Sequence, residues 1–120
     1  MSLRAIKGAT TVPVDAASEI CAATSELLRE MLVQNALTVS QVVSLVLTAT
    51  PDLRSEFPAR GARDAGWGEV PMVCAQEIDV PGALPRCIRA LAHAEVASGD
   101  AIRHVYLREA RALRPDIARG

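Results

Sequence analysis

The sequence predicts a mixed α/β fold in which one long helix covers one face of a β-sheet carried mostly by the second half of the chain. Three observations predict it. Apolar residues recur at helical spacing through Ile20, Ala23, Leu27, Leu28, Met31 and Leu32. Runs rich in β-branched residues, bounded by Pro or Gly turns, lie before and after that stripe. The 120 residues supply one hydrophobic core rather than two, so these elements share a single domain spanning residues 1–120.

Leu3 to Val12 reads as the first strand, with Thr10, Thr11 and Val12 at its end and Pro13, which has no N–H to donate, stopping the ladder. Asp15 suits the N-cap of the long helix, which runs to about Asn35 with Glu19 and Glu26 on its solvated side. Val39 to Thr50 is dense in β-branched residues and ends at the Pro51-Asp52 turn, so it reads as a buried strand. Pro58 to Ala65 reads as a short helix, with Pro58 in its first turn and Gly66 as its stop. Glu69 to Val80 reads as a strand made irregular by Pro71 and closed by the Pro81-Gly82 turn.

Leu84 to Val96 is ambiguous. Its alanines favour helix, whereas Cys87, Arg89, Leu91 and His93 alternate with Ile88, Ala90 and Ala92 at strand period. Beyond the Ser98-Gly99-Asp100 loop, Arg103 to Leu107 reads as a strand and residues 108–120 as an irregular tail. One long helix shields one face of such a sheet, and another subunit is the expected cover for the other.

Composition narrows the function. Half of the residues are apolar, but 21 are Ala and only Phe57, Trp67 and Tyr106 are aromatic, which describes a core of small aliphatic side chains. Thirteen basic residues against 14 acidic ones, with no basic run, argue against a nucleic-acid surface. The longest apolar stretch, Val42 to Ala49, is far short of the roughly 20 residues that span a bilayer, and it contains Ser44 and Thr48. Cys21, Cys74 and Cys87 form no CxxC pair, and no leader pattern opens the chain. These features suit free thiols in a reducing cytoplasm.

Chemistry-bearing motifs are sparse. His93 and His104 lack the neighbours of a metal site, Lys7-Gly8 does not continue into a phosphate loop, and there is no GxSxG elbow. What remains is a scatter of cations on strands or at their ends, Lys7, Arg63, Arg89 and Arg114, together with Glu77 and Tyr106. Twelve of the 13 basic residues are Arg, so Lys7 stands out, and its strand-face neighbours Ala5 and Ala9 leave room around it. Taken singly these are solvated charges. Taken together they suit a small dianionic ligand, whose carboxylates Arg binds through a planar fork.

Six ordered blocks sharpen this. Ile6-Lys7-Gly8-Ala9-Thr10-Thr11-Val12, Ala49-Thr50-Pro51-Asp52-Leu53 followed by Phe57-Pro58-Ala59, Val70-Pro71 running to Cys74-Ala75-Gln76-Glu77, Cys87-Ile88-Arg89, Arg103-His104-Val105-Tyr106-Leu107, and Leu113-Arg114-Pro115-Asp116 resemble the AroH-type chorismate mutases nearly end to end. The resemblance implies a homotrimer in which three mixed sheets form a pseudo α/β-barrel, with a site at each subunit interface. It also implies that Leu84 to Val96 is a strand.

The implied reaction is the Claisen rearrangement of chorismate to prephenate in phenylalanine and tyrosine biosynthesis, an isomerisation that uses no cofactor and no metal. By the same resemblance Arg89 donates to the ether oxygen of the substrate, Glu77 and the Cys74 backbone hold its ring hydroxyl, and Tyr106 and Lys7 bind a carboxylate. Phe57, Ala75 and Leu113 are implied as an apolar wall, and Arg63 and Arg114 as outer cations closing over the dianion. Lys7 departs from the family pattern, which has Arg there. A point charge in place of a fork predicts weaker carboxylate binding. The alternative is a trimeric relative that Lys7 has retuned to bind or convert another carboxylate ligand.

Overall fold

A computed structural model describes residues 1–116. Strand β1 (Ser2–Thr11) leads into helix α1 (Ala17–Gln34), followed by β2 (Val42–Ala49), α2 (Pro58–Asp64), β3 (Met72–Gln76), β4 (Cys87–Val96) and β5 (Val105–Tyr106). The strands make one five-stranded mixed sheet in the order β3-β2-β4-β1-β5. Central β4 runs antiparallel to β1 and β2, and the edge strands β3 and β5 join in parallel. The long helix and the mixed sheet are as the sequence predicts.

The ambiguous segment is therefore the middle strand. Ile88, Ala90, Ala92, Ala94 and Val96 all face inward and are buried, while Arg89, Leu91, His93 and Glu95 face the other way and are not. Helix propensity yields here because β4 pairs with a strand on each side, and a helix would leave both ladders without partners.

The inward face packs on α1 through Ile6, Leu27, Leu28, Met31, Leu45 and Leu47, with Trp67 buried in the same cluster. Small residues set the spacing. A Cβ on Gly8 would lie 2.6 Å from the Met31 sulfur and 3.0 Å from Leu27 Cδ1, so glycine lets α1 lie close on β1. Gly61 does the same between helices, where a Cβ would meet the Cys21 carbonyl oxygen at 2.7 Å.

Several boundaries differ from the sequence reading, each for a hydrogen-bonding reason. Asp15 does not cap α1: the N-cap is Ala16, with no side-chain cap. Asp15 Oδ1 instead accepts the backbone N–H groups of Arg54 and Ser55, tying the helix entry to the loop after β2. Val39–Gln41 is a 3-10 turn rather than strand, because Thr38 and Gln41 close a capping box around it. Only Met72–Gln76 of the segment 69–80 is strand, since the Val70 N–H turns back to Trp67 and Pro71 has none to give.

The last strand shrinks to Val105–Tyr106 because side chains take its neighbours' hydrogen bonds. Asn35 accepts the Arg103 N–H and donates to the Arg103 carbonyl, and His104 Nδ1 accepts the Lys7 N–H at 3.0 Å. Beyond it Arg108–Leu113 is not irregular but winds into 3-10 turns. Arg86 and Arg108 both take left-handed backbone, at φ 47° and 53°. Each donates to a carbonyl at the end of β1, Arg86 to Val12 and Arg108 to Thr11, so the strain accompanies a brace on that strand.

The outward face of the sheet is open except at the β5 end, where the 3-10 turns of Arg108–Leu113 cover Ala9 and Tyr106. Paired residues project to the same side, so Lys7, Leu91, Val46 and Val73 form one row across four strands. Leu3, Leu91 and Val73 are exposed large apolar residues on that face.

Candidate active site

One further row of this open face assembles much of the predicted site. Tyr106, Ala9, Arg89, Thr48 and Ala75 lie side by side on β5, β1, β4, β2 and β3. Alternation thus delivers Arg89 to the middle of the sheet on its uncovered side, at 37% side-chain exposure. Its neighbours toward β5 are small and aromatic, and its neighbours toward β3 are polar and small.

Glu77, immediately after β3, reaches back over that row. Its N–H donates to the Ala49 carbonyl at 2.9 Å, which fixes the backbone. Its carboxylate, 18% exposed, accepts from Arg89 Nε at 3.2 and 3.1 Å and from the Thr48 hydroxyl at 2.6 Å. The last distance falls in the range of charge-assisted O–H to carboxylate bonds. Arg89 engages Glu77 through Nε alone, and its two terminal nitrogens make no hydrogen bond among the described residues.

At the other end Tyr106 is buried with Ala9 and Ala110, and Leu113 packs against that cluster. Arg114 interacts with Tyr106 and is held by Asp116 at 3.2 and 3.0 Å, which raises its affinity for its proton. Lys7 is exposed one row away. Beside it His104 is pushed below the usual histidine range by burial first, then by the charges of Lys7, Arg114 and Arg4. Lys7, Arg114 and Arg4 thus gather near the His104 end of the sheet.

The other predicted residues gather at the β3 end of this row and beyond it. Phe57, Cys74 and Ala75 line a cavity of about 330 Å³ with Leu53 and Pro58, and none of Lys7, Arg89 and Tyr106 contributes to it. Phe57 is 70% exposed, an unusual state for one of three aromatics. Arg63 is exposed on the last turn of α2. A hollow of about 450 Å³ at the end of β1, lined by Arg86 and Arg108 among others, holds none of the predicted site residues. The described chain thus carries the Arg89 row and, adjoining it at Ala75, the Phe57 cavity.

All three cysteines are free, Cys74 exposed and Cys87 buried. Burial pushes the Cys87 thiol up to about 11, with nearby Arg89 opposing. No group of three His, Cys, Asp or Glu among the described residues is placed to hold a metal ion. Thr48 is the participant that sequence reasoning missed. Its signal was visible: Ser44 and Thr48 are the polar residues of an otherwise apolar strand, spaced to share its outward face. Ser44 meets His93 at 3.2 Å and Thr48 meets Glu77.

A guanidinium braced through Nε by a carboxylate, with Lys7 on the next row of the sheet, is an arrangement suited to an anionic ligand. Comparison with known proteins specifies the family. Residues 3–117 match the model of chorismate mutase type I. The chain is 43% identical to chorismate mutase AroH of Bacillus subtilis over 120 residues, covering 98% of this chain and 94% of that protein. It is 46% identical to chorismate mutase AroH of Thermus thermophilus over 117 residues, covering 96% of each. A solved chorismate mutase from Clostridium thermocellum superposes with a TM-score of 0.86 at 44% identity, covering 91% of this chain and 98% of that one. The chain belongs to the type I chorismate mutase family. These matches lend no support to a pocket retuned by Lys7 for another ligand.

Proposed function

We propose that this chain, a chorismate mutase and hence an isomerase of aromatic amino acid biosynthesis, converts chorismate to prephenate by conformer selection and electrostatic stabilisation centred on Arg89. In the rearrangement one C–O bond breaks as one C–C bond forms within a single cyclic array of electrons. No nucleophile or proton transfer is needed. The protein has to hold the compact conformer and stabilise charge on the departing ether oxygen.

The observation that carries this reading is the single-nitrogen contact between Arg89 and Glu77, which leaves the terminal nitrogens of Arg89 for the ether oxygen and its neighbouring carboxylate. Removing one preorganised donor of this kind costs about 3–4 kcal/mol. An acceleration of about 10⁶ requires about 8 kcal/mol, so one well-aimed guanidinium supplies a large share. Glu77 and the Cys74 backbone orient the ring hydroxyl, Tyr106 and Lys7 bind a carboxylate, and Phe57, Ala75 and Leu113 form the apolar wall. Arg63 and Arg114 close over the bound dianion.

These groups come together in a homotrimer, where the Phe57 cavity of one subunit meets cationic residues of the next. The exposed apolar residues Leu3, Leu91 and Val73 on the open sheet face support such an assembly. No described helix is long and apolar enough to cross a membrane, and the free cysteines suit a cytoplasmic enzyme. The test is loss of chorismate absorbance with formation of prephenate by purified protein, alongside its mass in solution. Turnover with a trimeric mass is expected. Absence of prephenate, or a protein that is active as a monomer, overturns the reading.

A further inference from the structure

We infer that Thr48 is a positioning residue of this site, one that keeps the Glu77 carboxylate from occupying the catalytic fork of Arg89. The inference rests on the roles proposed above for Arg89 and Glu77, and it arises from the sheet itself. Thr48 is the direct cross-strand partner of Arg89 on β2 and of Ala75 on β3, so its hydroxyl lies between the guanidinium and the strand from which Glu77 emerges. It donates to Glu77 Oε2 at 2.6 Å, while Arg89 Nε contacts both carboxylate oxygens at 3.2 and 3.1 Å.

That geometry is not the one a free Arg–Glu pair favours. Carboxylates prefer two parallel bonds to a guanidinium, and a pair free to rotate adopts them. In such a pairing Glu77 would engage a terminal nitrogen of Arg89 as well as Nε, or both terminal nitrogens. Either arrangement removes donors that an ether oxygen and a carboxylate of the substrate need. The Thr48 hydroxyl holds one oxygen of Glu77 on the β2 side and confines the pair to its single-nitrogen contact. The site then gains a short charge-assisted bond to a mostly buried carboxylate and retains an unoccupied fork.

Thr48→Val tests this with little risk to the fold, because valine has nearly the same shape and suits a strand at least as well as threonine. The expected result is a fall in kcat of about tenfold, with a smaller change in KM, as for loss of a group acting mainly in the transition state. Thr48→Ser, which keeps the hydroxyl, recovers most of that rate. In a Glu77→Gln background Thr48→Val adds little further loss, because Thr48 acts through Glu77. A structure of the Thr48→Val protein shows the Glu77 carboxylate turned onto the terminal nitrogens of Arg89. Full activity in Thr48→Val, no recovery in Thr48→Ser, or an equal loss in the Glu77→Gln background overturns the inference. An unmoved Glu77 in the Thr48→Val structure overturns it too, and does so even if the wild-type protein fails to turn over chorismate, an outcome that counts against the reaction instead.

Discussion

Arg89 and Glu77 face each other across a strand that belongs to neither, joined through one guanidinium nitrogen at 3.2 and 3.1 Å, with the intervening strand supplying Thr48 as the third member. The arrangement separates two duties of arginine. Nε anchors the side chain, and the terminal nitrogens are left to bind. A lysine has one nitrogen for both tasks.

Arg89→Ala and Arg89→Lys are therefore both expected to lower kcat, by about 10²–10³ for alanine and by a comparable factor for lysine, which lacks the planar fork. Chorismate absorbance at saturating substrate measures this. Near-normal turnover in either variant would remove Arg89 from its assigned role. Because Arg89 is 37% exposed, the fold itself is expected to tolerate both changes.

Lys7→Arg restores a fork where this chain presents a point charge. Its side chain lies on the open face beside Leu91, outside the Arg89 row, so its influence falls on binding rather than on the bond being broken. KM for chorismate is expected to fall by about three- to tenfold with little change in kcat. A change in kcat alone would show that Lys7 acts at the reacting atoms.

The two glycine contacts differ in what must give way. At Gly8 the obstructing atoms are the ends of the Met31 and Leu27 side chains, which can rotate. At Gly61 they include the Cys21 carbonyl oxygen at 2.7 Å and its Cα at 2.9 Å, which belong to the backbone of α1. Gly8→Ala is expected to cost about 1–3 kcal/mol, and Gly61→Ala more than that, because α1 and α2 would have to move apart. Thermal unfolding of the two variants side by side measures the difference, and equal losses would contradict it.

His104 makes stability depend on pH. Its Nδ1 accepts the Lys7 N–H, so the ring is neutral in the folded chain, and burial with the nearby cations holds its folded value below the ordinary 6.5. The unfolded chain then binds the proton more readily. This contribution to stability is complete above pH 6.5 and is lost as pH falls through the interval below it, down to the folded value. Wild type should lose more stability than His104→Asn when pH is lowered from about 7.5 to about 5, since the asparagine oxygen can accept the same N–H without titrating. Parallel pH profiles for the two proteins would show that His104 is not the titrating group.

Much of this molecule was legible before its coordinates. The apolar stripe from Ile20 to Leu32 set α1, since a helix with one greasy face has one way to bury it. Alternation placed Arg89 and His93 on one side of β4 and Ile88, Ala90 and Ala92 on the other, even while alanine content pointed towards helix. Six spaced motifs pointed to the family, and with it the candidate residues from Lys7 to Arg114. Most of the misread boundaries share an origin. At Asp15, Gln41, Asn35 and His104 a polar side chain takes a backbone hydrogen bond that a strand or a cap was expected to hold, and which side chain does so depends on what lies beside it in space.

The sequence by itself determined the periodicities, and with them which residues share a face, because backbone geometry fixes those at short range. It also determined which residue types were available for binding an anion. Tertiary structure alone decided that β4 sits at the centre, that Thr48 stands between Arg89 and Glu77, and that the Arg89 row meets the Phe57 cavity at Ala75. Those are matters of strand order and register between segments far apart in the chain, where the choice rests on how the whole sheet pairs and packs rather than on any local preference.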